Sequence, residues 1–209
     1  MDFSKIKNII FDLGNVVIDI NPNLTYEALA ALSPTKSALE IEELVKVDKL
    51  WHSYEKGIIS DAEFRDLLRE SLELEASDTE IDDAFNALLL DIDPDRVDLI
   101  ERLGKKYRIF VLSNTSQIHM VEFENILSRC TDRETMWTLF EKPYFSFDMC
   151  LLKPDPEIYK TVLSQSNLLP EETLFIDDLK ANIEAANLLG INTIHLQPPL
   201  TIINLLDGL

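Results

Sequence analysis

Four short runs of continuous apolar character, each separated from the next by a helical pattern or a longer insert, constrain this chain more than any other feature. They are Asn8–Phe11, Arg108–Ser113, Thr173–Asp177 and Ile191–Leu196. Unbroken rather than alternating hydrophobicity marks strands covered on both faces, as in a parallel sheet. Asp93–Leu103 followed by Gly104, Pro156–Ser166, and Ala181–Leu189 closed by Gly190 read as helices with their stops. Strands alternating with helices predict an α/β fold, a doubly wound Rossmann-like parallel sheet. Sheets of this kind bind ligands beyond the carboxyl ends of their strands.

From Asn21 to about Ile92 the pattern is helical only. Ser60-Asp61-Ala62-Glu63 and Ser77-Asp78-Thr79-Glu80 have capping-box spacing, each opening an amphipathic run. Roughly four helices are expected there. The insert follows the first strand directly, so it sits near the strand ends. The predicted division is a core of residues 1–20 and 92–209 and a helical bundle of residues 21–91. The acid-rich stretch Glu73–Asp83 reads as a solvated helical junction.

A formal net charge of −19 repels polyanions and anionic lipid, which argues against nucleic acid and membrane partners. No apolar run approaches the roughly 20 residues of a membrane-spanning helix. The opening Met1-Asp2-Phe3-Ser4-Lys5 lacks the basic-then-apolar order of a signal peptide. Cys130 and Cys150 form no CxxC pair and read as buried or idle thiols. A cytoplasmic monomer or weak dimer is the expectation.

Three of the strands end in polar residues that a core does not require: Asp12; Ser113-Asn114-Thr115; and Asp177-Asp178. Lys153, in Lys153-Pro154-Asp155-Pro156, joins them at the same sheet edge. Three clustered carboxylates raise one another's pKa unless a cation is present. An all-oxygen donor set favours a hard ion such as Mg²⁺, which keeps several waters and often binds a phosphate too. Lys153 and Ser113 can hold phosphate oxygens. An aspartate can attack phosphorus to give an aspartyl-phosphate that water hydrolyses.

Phe-Asp-Leu-Gly-Asn-Val-Val at 11–17, Leu-Ser-Asn-Thr at 112–115, Lys-Pro-Asp-Pro-Glu-Ile-Tyr at 153–159 and Phe-Ile-Asp-Asp…Asn-Ile-Glu-Ala-Ala at 175–186 resemble the four ordered motifs of the haloacid dehalogenase-like hydrolases. The likeness spans essentially the whole chain, and the helical insert resembles that family's small cap. The nearest likeness is to sugar-phosphate phosphatases with the Asp-Leu-Gly-Asn-Val variant, including those acting on glucose 1-phosphate. The resemblance implies that Asp12 is nucleophile and metal ligand, with the Gly14 carbonyl and Asp178 as further ligands. Asp177 would act through water or steer the metal's shell. Ser113 and Lys153 would hold the phosphate beside Asn114, and Asn182 would be a supporting polar residue. The implied activity is Mg²⁺-dependent hydrolysis of a small phosphorylated metabolite, a sugar phosphate by preference.

The commonest first motif has a second aspartate two residues after the nucleophile, which protonates the leaving alcohol; Gly14 stands there instead. General acid–base help is worth about 10²–10⁴-fold. An anomeric leaving group, being more acidic than an ordinary alcohol, suffers less from its loss. Glu55 and His52, in Trp51-His52-Ser53-Tyr54-Glu55-Lys56-Gly57, and Asp19 are the candidates to contact the sugar or carry the proton. Gly14 also keeps open a weak or inactive relative that binds a phosphometabolite or protein. A metal-free dehalogenase or a phosphonate hydrolase fits worse: the acid pair 177–178 has no use without a metal, and Lys46, Lys49 and Lys56 read as solvated. Cys150 stands where related sequences tend to have glycine. Tyr54 reads as packing, His119 as either solvent-facing or at the site rim, and Met120, Phe123 and Leu127 as core.

Overall fold

A computed structural model of the chain describes residues 3–47 and 49–209; Met1 and Asp2, on which the reading of the N-terminus partly rests, lie outside it. The strands are β1 (Asn8–Phe11), β2 (Ile18–Ile20), β3 (Leu89–Ile92), β4 (Arg108–Ser113), β5 (Lys142–Phe145), β6 (Thr173–Asp177) and β7 (Asn192–His195). The helices are α1 (Pro22–Leu32), α2 (Ala38–Val47), α3 (Leu50–Glu55), α4 (Asp61–Leu72), α5 (Asp78–Asn86), α6 (Pro94–Gly104), α7 (Gln117–Cys130), α8 (Ser146–Met149), α9 (Pro156–Gln165), α10 (Lys180–Asn187) and α11 (Ile202–Leu206).

The main sheet runs β5-β4-β1-β6-β7, every pairing parallel. Its three central strands are β4, β1 and β6, and β1 is buried at all four positions. That is why its sequence does not alternate. One apolar layer lies to each side of the sheet. Phe11, Val111 and Ile176 pack with α6 and α7, while Ile10, Phe110 and Phe175 pack with α9 and α10. Phe11 lies opposite Val111 on one neighbour and Ile176 on the other. The next residues along, Asp12, Leu112 and Asp177, therefore emerge side by side at one edge.

Three strands were not foreseen, β2, β3 and β5. β5 carries Pro143, which reads as a loop breaker; a proline is tolerated because this strand lies at the sheet edge. β3 falls where only helices were expected, and pairs antiparallel with β2 at the seam between the insert and the sheet, Ile18 opposite Ile92. Its four residues are too few for periodicity to separate a strand from a helix end.

Among the described residues the insert contains five helices rather than four and has its own apolar cluster, including Leu29, Ile41, Tyr54, Phe64, Leu68 and Phe85. Both capping boxes form: the Ser60 and Ser77 hydroxyls accept from Glu63 N and Glu80 N, and each glutamate accepts in return from its serine's N–H. Arg65 grips Asp82 with two bonds of 2.7 Å, tying α4 to α5. No helix among the described residues is long and apolar enough to cross a membrane.

Candidate active site

Asp12 extends β1 by one rung, its N–H donating to Ile176 O at 2.9 Å, and the side chain leaves the sheet at its carboxyl edge. Its Oδ1 accepts from Leu13 N at 2.8 Å and faces Lys153 Nζ, also at 2.8 Å. The residue is almost fully buried. Burial pushes the carboxyl up to about 7, opposed by Lys153 and reinforced by the neighbouring Asp177 charge. A carboxylate in this setting is short of positive charge.

Lys153 is the hub. Its ammonium donates to Leu112 O at 2.9 Å, to Asp177 Oδ2 at 2.7 Å and pairs with Asp12. All three N–H bonds are used, although burial alone disfavours a charged lysine. The two aspartates outweigh that cost, so its pKa stands above the ordinary value. Asn114 holds the lysine's backbone from both directions: Lys153 N donates to Asn114 Oδ1 and Asn114 Nδ2 donates to Lys153 O, each at 2.9 Å. Asn114 was expected to touch substrate; its amide is occupied in placing the lysine.

Asp177, at the end of β6, is completely buried. Its oxygens accept from Leu179 N at 2.8 Å, from Asn182 Nδ2 at 3.0 and 2.9 Å, and from Lys153. It thus caps the entry to α10 and braces the ammonium. Asp178 is partly exposed, and its carboxyl pKa is raised, chiefly by desolvation. Carboxylate oxygens of Asp12, Asp177 and Asp178 lie within 4.8 Å of one another. Hard oxygen donors so placed fit a small divalent cation. Asp177, whose oxygens already accept four hydrogen bonds from three donor groups, has the least capacity left for direct ligation.

Sequence reasoning missed Asn15 and His195. Asn15 adopts φ 55°, a left-handed conformation that asparagine tolerates. Its Nδ2 donates to Asp178 Oδ2 at 2.8 Å and its Oδ1 accepts from Ile20 N at 3.1 Å, fixing the turn after Asp12 against Asp178. The Gly-Asn pair after Asp12 was the available signal. His195 Nε2 lies 2.9 Å from Asp178 O, a contact with no local sequence signature.

Beside this edge, between sheet and insert, opens a cavity of about 330 Å³. Gly14, Ser113, Trp51, His52, Glu55 and His119 lie on its walls, with Ile20, Val45, Leu88, Leu89 and Met120. The Ser113 hydroxyl has Asn114 O at 3.5 Å, too far to hold it firmly. A Cβ on Gly14 would meet Ile20 Cδ1 at 3.0 Å, so a side chain there must displace that methyl. Thr25 gives its hydroxyl to Phe85 O at 2.9 Å. His119 is buried, not solvent-facing: its ring stacks on Phe85 with centroids 4.0 Å apart, and Nδ1 lies 2.8 Å from Asn86 Oδ1. Asp19 pairs with Arg96 at 2.8 Å and lies outside this cavity. Tyr54 packs face to face on Phe64, and Met120, Phe123 and Leu127 are core residues. Cys150 is exposed and Cys130 half-buried, both free.

The sequence profile of the haloacid dehalogenase-like hydrolases matches residues 6–190. The chain belongs to that family. A family enzyme from Bacteroides thetaiotaomicron, solved with magnesium and inorganic phosphate, superposes with a TM-score of 0.86 at 36% identity, covering 96% of this chain and 98% of its own. A haloacid dehalogenase-like hydrolase from Porphyromonas gingivalis gives 0.88 at 31% identity, covering 98% and 97%. Among characterised relatives, a D-ribitol-5-phosphate phosphatase of B. thetaiotaomicron is 29% identical over 90% of both chains. This haloacid dehalogenase-like hydrolase thus stands with phosphatases along nearly its full length.

Proposed function

We propose that the chain is a magnesium-dependent phosphomonoesterase that releases inorganic phosphate from a small phosphorylated carbohydrate through an aspartyl-phosphate on Asp12. The observation that carries this reading is the triad of Asp12, Lys153 and Asp177 joined to Asp178, with Ser113 at the adjoining cavity. The magnesium and phosphate of the Bacteroides structure support it, as does the substrate of the ribitol-phosphate relative.

Asp12 and Asp178, with the Gly14 carbonyl, would hold Mg²⁺, and Asp177 would order the donors around it. Bound there, the cation neutralises carboxylate and phosphoryl charge. Lys153 orients the Asp12 carboxylate through the 2.8 Å contact and balances the charge of an arriving phosphate. The Ser113 hydroxyl donates to a phosphoryl oxygen. Asp12 then attacks phosphorus as the ester bond breaks, and water cleaves the acyl-phosphate. Residues 21–91 act as a cap that closes the cavity from water.

The test is phosphate release from a panel of sugar and polyol phosphates, a nucleotide and an aryl phosphate, with Mg²⁺ and with EDTA. Magnesium-dependent turnover is expected, with Asp12→Asn inactive. Turnover that survives Asp12→Asn would refute the mechanism. A second reading for the leaving group comes from the apolar walls of the cavity, which suit an alcohol with a largely hydrocarbon body. A sesquiterpene phosphatase of Aspergillus oryzae is 26% identical over 91% of this chain and 89% of its own length. A prenyl phosphate in the panel decides between the two.

A further inference from the structure

Gly14 leaves the nucleophile's loop without a proton carrier, so the question is whether another group of this chain faces the leaving oxygen. Four titratable groups line the cavity on the insert side and along α7: Tyr26, His52, Glu55 and His119. Tyr26 is pushed further above its ordinary value by burial and the Glu42 charge, so it holds its proton throughout. His119 is kept neutral by burial and its Nδ1 is engaged with Asn86. His52 is exposed at the mouth. Among the described residues, Glu55 is the one acid that lines the cavity. Within the described residues no hydrogen bond or ion pair occupies its carboxyl, and the charge it senses is that of Lys153.

The segment carrying Glu55 is fixed to the core on both sides. Before it, Tyr54 OH donates to Asp61 at 2.8 Å and accepts from Ile118 N, at the start of α7, at 3.4 Å. After it, Gly57 at φ 65° lies so close to α8 that a Cβ would run into the Phe147 carbonyl. Glycine is required there by both conformation and contact. An unpaired carboxyl delivered to a cavity from a doubly anchored helix end is a placed group, and burial holds its pKa at about 7, poised to exchange a proton near neutrality.

We propose that Glu55, supplied by the insert, is the general acid and base of this enzyme, in the place that Gly14 leaves vacant. The proposal rests on the phosphatase reading above. In the first step Asp12 bonds to phosphorus, the ester P–O bond breaks with its electrons passing to the leaving oxygen, and the Glu55 carboxyl proton goes to that oxygen. In the second, Glu55 as carboxylate takes a proton from the water whose oxygen attacks phosphorus. The P–O bond to Asp12 breaks, leaving Asp12 ionised, Glu55 protonated and phosphate free.

The test compares Glu55→Gln with wild type on D-ribitol 5-phosphate, whose alkoxide is a poor leaving group, and on 4-nitrophenyl phosphate, whose phenolate needs no proton. The comparison uses kcat/KM with Mg²⁺, which reports the step in which the leaving group departs. The variant is expected to lose about 10²–10⁴-fold on the alkyl ester and less than tenfold on the aryl ester. The aryl measurement also shows that the variant is folded and charged with metal. Equal losses on both esters, or no loss on either, would overturn the proposal while leaving the phosphatase reading intact. Absence of phosphate release from both esters by the wild type would bring down that reading, and this proposal with it.

Discussion

His119 gives the clearest measurable consequence of how the insert meets the sheet. It lies in α7, stacked on Phe85 of α5 with an interplanar angle of 15°, its Nδ1 against Asn86. No acid compensates its burial, and desolvation alone lowers its pKa from 6.5 to about 3. The unfolded chain binds a proton near pH 6.5 that the folded chain refuses until about pH 3. Stability is therefore intact above the upper value and is lost as the pH falls through the window. With 1.36 kcal/mol per pKa unit, the loss is about 2 kcal/mol at pH 5 and negligible at pH 8. His119→Gln keeps an amide near Asn86 and removes the titration, at a cost of about 0.5–1.5 kcal/mol from the lost ring stack. Urea unfolding of both proteins at pH 8 and pH 5, without metal, isolates the effect because other groups titrate alike in each. The wild type is expected to lose about 2 kcal/mol more than the variant between the two pH values. Equal losses would mean that water reaches the imidazole and that the seam is not the dry contact described.

Lys153→Met strands Asp12 and Asp177 without their shared ammonium; breaking a buried pair of this kind costs about 3–5 kcal/mol, so the midpoint of denaturation in metal-free buffer should fall accordingly. An unchanged midpoint would contradict the hub assignment. Glu55 is held at about 7 when folded against 4.5 for an ordinary glutamate, so it favours folding least above pH 7 and stability returns as the pH falls toward 4.5. Glu55→Gln should therefore melt higher than wild type at pH 8, by up to about 3 kcal/mol, with the advantage shrinking at pH 5. Matching melts at both pH values would show that the carboxyl is solvated. Cys150 sits exposed at φ 55°. Cys150→Gly should stabilise by about 1 kcal/mol, since the left-handed region penalises a Cβ, and a lower melting point would count against that strain.

Much of the sheet was legible because its central strands are buried on both faces, so their interiors at residues 9–11, 109–112 and 174–176 are unbroken apolar runs. Asn8–Phe11, Arg108–Ser113 and Thr173–Asp177 stand where the apolar runs placed them. The edge strand β5 and the seam strand β3 were hidden, since one contains a proline and the other is too short for a period. The strand-end acids were legible for a different reason: a carboxylate at the end of a buried strand is costly to desolvate, so Asp12 and Asp177-Asp178 stood out. Asn114 could not be resolved this way. Being polar at a strand end made it a candidate for substrate, and only three-dimensional pairing shows its amide committed to Lys153.

The proton carrier shows where linear reasoning stops. His52, Glu55 and Asp19 were equivalent in sequence, each a titratable group near a motif that lacked one. Their separation depends on packing. Asp19 is drawn away by Arg96, a partner 77 residues distant in sequence. His52 and Glu55 are three residues apart and share a helix face, yet only Glu55 stands next to the Tyr54 and Gly57 anchors that set its depth. A glycine at position 14 and a glycine at position 57 are thus parts of one arrangement. The first removes a carboxyl from the core loop, with Ile20 filling the space beside it. The second brings the insert close enough to present a carboxyl from the opposite wall. Restoring the core acid by Gly14→Asp should therefore return alkyl-phosphate turnover to Glu55→Gln, provided Ile20 is also trimmed to valine to make room. Failure of the triple variant, with its aryl-phosphate turnover intact, would show that the position of the proton donor, and not merely its presence, has been rebuilt around the insert.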